Sequence, residues 1–304
     1  MTTVPTYAPT AVAPTHETPA VPAVPAVPAQ RHQPAPAGYT VSLARDEDDV
    51  RAAQRLRHRV FAAELGAVLN SPLSGLDIDP FDEFCDHLLV REQETGEVVG
   101  TYRLLRPEAA RRAGRLYSDG EFDLSALAPV RPDLVEVGRS CIHPDHRGNG
   151  AVINLMWGGI ARYLVDTGNT WVGGCCSIDL ADGGAEAARV WDTVSAKHLA
   201  PDEYRVTPHR RWDATGVPRA ERGALPALLR GYLRLGAWVC GEPAYDPDFG
   251  CADLYVLLSL KRTDPRYLRH FLSGAAQTQP SGTSGTSGTS ATSGSSAPAA
   301  PSVP

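Results

Sequence analysis

The stretch from Val135 to Trp157, VEVGRSCIHPDHRGNGAVINLMW, narrows the choice of fold more than any other part of the chain. It begins as a β-rich run, turns at HPDH, passes RGNG, and continues with helical spacing. A helix that starts directly after glycines offers unpaired N–H groups and a partial positive charge, and the glycines let backbone approach a phosphate. Arg147, Gly148, Asn149, Gly150 and Ala151 would form such a nest. An ordinary Gly-rich turn between strand and helix has the same composition, so the loop alone leaves both readings open.

Around this stretch the chain divides by composition. Residues 1–38 are dominated by Pro, Ala, Thr and Val and favour extended conformers with little to bury. Residues 273–304 are small and polar. Both ends are expected to be disordered, leaving 39–272 as one domain long enough for a sizeable core. No basic, then apolar, leader opens the chain, and ALPALLRGYLRLGAWVCG carries two arginines and a proline, too polar for a membrane span. Six cysteines without C-x-x-C spacing then read as reduced thiols in the cytoplasm, with peripheral contact at the inner membrane face left open. A net charge of −6 gives no global attraction to nucleic acid, which is expected not to be a partner. The local runs RRAGR (Arg111–Arg115) and Arg205–Arg222 are basic patches, solvated loops or docking sites for an anionic partner.

Apolar periodicity predicts the other elements. YTVSLA alternates as a strand, and Asp46 to about Leu65 has helical spacing behind acidic residues that suit a helix start. CDHLLVRE and EVVGTYRLLR read as a hairpin, LVEVGRSCIH as the next strand, and Ala151–Thr167 as a helix stopped by Gly168. TWVGGCCSID and ADLYVLLSLK are strands, the latter apolar enough to be central. Ala185–Leu199 and Pro226–Trp238 are helices. The order predicts a mixed α/β layer fold.

Several segments, taken in order, carry a resemblance: RLRHRVFAAELG (Arg55–Gly66), DIDPFDEFCDHLLV (Asp77–Val90), VGTYRLL (Val99–Leu105), EVGRSCIHP (Glu136–Pro144) and the RGNG loop. Together they resemble the GNAT N-acyltransferase superfamily, in two related branches: the acyl-homoserine lactone synthases and the hemolysin-like ornithine N-acyltransferases of ornithine-lipid synthesis. Leu225–Leu258 is similar to the ornithine branch, and the lactone synthases usually carry a tryptophan where this chain has only small residues such as Ala67. The resemblance implies a mostly antiparallel central sheet with splayed strands flanked by helices. It also implies no permanently bound cofactor or metal, and an acyl donor carried on phosphopantetheine by acyl carrier protein or CoA. The superfamily usually has Gly or Ala where this chain has Val152, which points to the single phosphodiester of a carrier-protein arm.

In a regular strand Glu136 and Arg139, three apart, face opposite sides, so serving one site would need a bulge, which Gly138 could accommodate. With that bulge, Glu136 would be the base, Arg139 a partner, and a main-chain N–H near Ile142 would polarise the thioester carbonyl. Arg103 and Arg139 would grip an amino acid's carboxylate, and Asp79 and Asp82 its ammonium groups. The resemblance gives Arg57 to the substrate set as well. Asp79 and Asp82 could equally cap turns, and Arg57 could tie the first helix to the acidic loop. The leading expectation is transfer of a 3-hydroxyacyl group from acyl carrier protein to the α-amine of ornithine or a similar amino acid, the first step of ornithine-lipid synthesis. The alternatives are a CoA-dependent enzyme acting on another amine, and a non-catalytic lipid- or protein-binding module.

Overall fold

The computed structural model describes residues 38–148, 150–221, 223–266 and 269. The ends expected to be disordered, residues 1–38 apart from Gly38 and residues 273–304, lie outside the described residues, as does Asn149.

In chain order the elements are β1 (Tyr39–Leu43), α1 (Glu47–His58), β2 (Asp86–Glu92), β3 (Val98–Leu105), α2 (Pro107–Ala113), β4 (Phe122–Asp123) and β5 (Leu134–Ile142). Then follow α3 (Ala151–Thr167), β6 (Trp171–Asp179), α4 (Ala185–Lys197), β7 (Thr207–Pro208), α5 (Ala227–Arg234), β8 (Trp238–Val239), β9 (Ala244–Asp246) and β10 (Cys251–Ser259). Asp46 caps α1 by accepting from the Asp49 N–H, and Glu47, Asp48 and Asp49 favour its positive end. The predicted helix to Leu65 holds in extent but not in pitch: Arg59–Glu64 widens into π-helical turns, which set Phe61 and Leu65 against a cavity.

The main sheet runs β1-β2-β3-β5-β6-β10-β8, with β9 also on β10, and every pair is antiparallel except β5–β6. This is the mixed, mostly antiparallel α/β sheet that the sequence predicts. β4 and β7 pair separately. One face buries Val152, Met156, Ile160 and Leu164 of α3 with Val190 and Val194 of α4 and Leu229 of α5. On the other face Ala53, Leu56 and Val60 cover Leu89, Val98 and Cys141. Each fully buried aliphatic side chain contributes about 2 kcal/mol. Gly231 of α5 lets the Trp157 ring sit where a Cβ would be, 1.6 Å from its nearest atom.

Two irregularities position the site. β5 and β6 pair only from Leu134↔Trp171 to Glu136↔Gly173 and then part. At the branch a Cβ on Gly174 would lie 2.1 Å from the Val137 carbonyl oxygen, so only glycine fits. The second is in β3–β5, where Arg103 opposes Gly138 but Thr101 opposes Cys141, which leaves one extra residue in β5. The bulge expected here is present, yet the left-handed backbone falls on Arg139 (φ +50°) rather than on Gly138. Such a conformation costs about 1 kcal/mol or more in a non-glycine residue. Ion pairs and ring contacts on the Arg139 side chain hold it there.

Candidate active site

A cavity of about 270 Å³ opens where β5 and β6 part, and Glu136, Arg139, Arg103, Tyr117, Cys175, Asp246 and Asp253 are among its lining residues. The bulge brings Glu136 and Arg139 to the same cavity despite their odd spacing. Glu136 is 4 % exposed and accepts from the N–H groups of Tyr117 (2.6 Å) and Ser118 (2.9 Å), at the start of a short 3₁₀ turn. Burial raises its carboxyl above the ordinary range, although these bonds oppose the shift. A buried acid shifted in this direction suits proton exchange near neutral pH.

Beside it, three arginines and three aspartates form a closed ring. Arg57, with no exposure, reaches both oxygens of Asp82 at 3.0 and 2.6 Å. Arg103 approaches Asp82 at 3.4 Å and Asp79 at 2.7 Å. Arg139 bonds Asp79 at 2.7 Å, and its Nε lies 3.3 Å from Asp77. Asp77 closes the ring: Arg57 Nε is 2.9 Å away but off the hydrogen-bond axis, an ion contact rather than a bond, while Arg57 Nη2 donates to the Asp77 carbonyl. Burial alone would raise Asp79 and Asp82. Arg103 and Arg139 hold Asp79 below its ordinary range, and Arg57 and then Arg103 hold Asp82 well below it. The charges balance one for one, so the carboxylates expected to receive ammonium groups already have cationic partners within the chain.

At the loop, Gly148 and Gly150 adopt left-handed conformations (φ +98° and +71°), and Ala151 opens α3. The Arg147 guanidinium turns back onto Glu64 (2.5 and 2.9 Å) and the Ile142 carbonyl (3.0 Å). Val152 is 1 % exposed and packs toward Gly100, so its bulk faces the core rather than the loop and does not hinder a pyrophosphate. The steric argument for a single phosphodiester therefore does not hold at this residue. The His143 N–H donates to the Val99 carbonyl, which makes Gly100–Ile142 a non-hydrogen-bonded pair. Ile142's own N–H thus points away from β3, toward the gap left by β6.

Asp77, Asp246 and Asp253 received no role from the sequence. The readable signal for Asp253 was a lone acid in the apolar run CADLYVLLS. Cys141 does not pair with His143, whose Nδ1 instead accepts from the Asp145 N–H.

A model of the acetyltransferase (GNAT) domain matches residues 56–158. The L-ornithine N(alpha)-acyltransferase of Rhodobacter capsulatus is 36 % identical over 250 residues, covering 77 % of this chain and 94 % of that protein. The enzyme of the same description from Brucella abortus is 34 % identical over 250 residues, covering 76 % and 88 %. Among solved structures, a CoA-dependent acyl-homoserine lactone synthase with SAM and isopentyl-CoA aligns with a TM-score of 0.49 at 17 % identity, covering 79 % of this chain and 90 % of that one.

Proposed function

The chain belongs to the family of the L-ornithine N(alpha)-acyltransferases and is an acyltransferase, and from that premise we propose that it moves a 3-hydroxyacyl group from acyl carrier protein to the α-amine of ornithine. The observation that supports this reading is the bulged, splayed strand, with Glu136 and Arg139 lining one cavity and the Ile142 N–H turned away from β3 further along the same strand.

The pantetheine arm would lie in the gap between β5 and β6, with its phosphate at Gly148, Gly150 and Ala151. With Arg147 committed to Glu64, this short loop suits one phosphodiester better than the pyrophosphate of CoA. The Ile142 N–H would polarise the thioester carbonyl. Glu136, directly or through water, takes the proton as the amine nitrogen bonds to the carbonyl carbon. The C–S bond then breaks, and that proton reaches the departing thiolate. Positioning does the rest, since thioesters react readily with amines held beside them. Arg139 and Arg103 would orient the substrate carboxylate. The acyl chain would continue past Gly174 and the Tyr102–Tyr232 hydroxyl pair toward the apolar hollow of Trp157, Leu164 and Leu235.

The product would be a lyso-ornithine lipid, the first step of ornithine-lipid synthesis, made in the cytoplasm. All six cysteines are unpaired, which suits a reducing compartment. No helix among the described residues is long and apolar enough to cross a membrane. Leu65 stands exposed at the cavity, and Val68 and Leu73 are exposed further along the same segment, apolar groups that suit peripheral membrane contact. Purified protein given ornithine and either acyl carrier protein thioester or acyl-CoA tests the reading, with faster turnover expected on the carrier protein. Glu136→Gln is expected to lower turnover about 100-fold. Full turnover in that variant would remove Glu136 as the base.

A further inference from the structure

We propose that Asp246 and Asp253, on the β9–β10 wall of the cavity, receive the side-chain ammonium of a diamino acid acceptor. The inference rests on the acyl-transfer reading and adds the residues that choose the acceptor. It begins from charge. The ring is neutral within itself, and both Glu136 oxygens are held by backbone N–H groups. What remains unbalanced at the cavity is negative.

Asp246 on β9 and Asp253 on β10 are 5 % and 2 % exposed and line the cavity. Pairing of β9 with β10 brings oxygens of both, with the Cys251 sulfur, within 4.8 Å of one another. Neither carboxylate has a salt bridge among the described residues. Oδ1 of Asp246 accepts from the N–H groups of Asp248 and Phe249, while no described residue donates to its Oδ2. The hydrogen-bond partners of Asp253, the Cys251 thiol and Ser177, are neutral, and Arg139 acts on it only through its field, without an ion pair. Nearby, burial and then the charges of Asp246, Asp253 and Asp248 push the Glu121 carboxyl up to about 7, and neither Glu121 nor Asp248 has a salt bridge among the described residues. A buried carboxylate without a cation is costly, and an ammonium arriving with a ligand removes that cost. A zwitterion with one amine would place it at Glu136 and leave this wall unbalanced. A diamino acid supplies the second cation that this wall lacks.

The test compares acylation of ornithine with that of 2-aminopentanoate, which has the same carbon chain without the terminal amine. The unmodified protein should favour ornithine at least about 30-fold in kcat/KM, the lower range for a buried charge pair. In Asp253→Asn and Asp246→Asn that preference should fall about tenfold or more, mostly through the KM for ornithine, with thermal melts confirming folding. Folded variants that keep the full preference would overturn the inference while leaving acyl transfer standing. Activity lost to EDTA and restored by a divalent ion would assign the acids to a metal instead and overturn it too. If no amine is acylated with either donor, the acyl-transfer reading fails. Calorimetry then decides this one: tighter binding of ornithine than of 2-aminopentanoate supports it, and equal binding overturns it.

Discussion

Replacing Asp253 with asparagine should stabilise the protein when no acceptor is bound. Burial, reinforced by Asp246, pushes the Asp253 carboxyl from 3.8 up to about 6, with hydrogen bonds from Ser177 and Cys251 opposing the shift. Between those values the folded chain holds a proton that the unfolded chain has released, so stability falls as pH rises through the window and the loss is complete above about pH 6. A shift of about two units corresponds to about 3 kcal/mol. Asparagine keeps the shape and cannot ionise, so near pH 8 Asp253→Asn should be more stable by up to about 3 kcal/mol, or about 1 M in the urea midpoint at unchanged slope. Below about pH 6 the gap should narrow by about 1.4 kcal/mol per pH unit. Urea titrations of both proteins from about pH 8 to about pH 4.5 measure this directly. Equal stability near pH 8, or a gap that stays constant across the series, would contradict the burial account.

Arg57→Met removes one corner of the ring and strands Asp77 and Asp82 without their shared cation; a loss of about 3–5 kcal/mol is expected in chemical denaturation. Gly174→Ala pushes a methyl onto the Val137 carbonyl where β5 and β6 part; a loss of about 1–3 kcal/mol, and of activity with it, is expected by thermal melting and acyl-transfer assay. Burial pushes the Cys141, Cys176 and Cys240 thiols up to about 12, so a colorimetric thiol reagent should react slowly with the native protein and fully once it is unfolded. Cys141→Ser should retain turnover, and an inactive but folded variant would point to a covalent cysteine route.

Much of the fold was legible because long elements write their period into the sequence. α3 runs from Ala151 to Thr167 as predicted, closed by Gly168, and the hairpin of β2 and β3 lies where the alternation put it. The helix predicted over Pro226–Trp238 was too long: α5 ends at Arg234, and Trp238–Val239 pairs with β10, an edge pairing that no local pattern announces. α2 and the β4–β7 pair were missed, being too short to show a period. At the site, the odd spacing of Glu136 and Arg139 was enough to predict a bulge, but not that an arginine would carry the left-handed backbone, since the contacts that hold it come from distant segments. Asp79 and Asp82 looked available because sequence shows charges without their partners. The partners, Arg57, Arg103 and Arg139, arrive from α1, β3 and β5.

Because each member of that ring is shared between two neighbours, none of the six side chains can be exchanged in private. A designer who wants a different acceptor should treat the hexad as one locus, replaced whole with a neutral set or left alone, and look for freedom on the β9–β10 wall instead. There, Asp246 and Asp253 form no ion pair among the described residues, so a substitution at either would leave the hexad's own pairings unbroken.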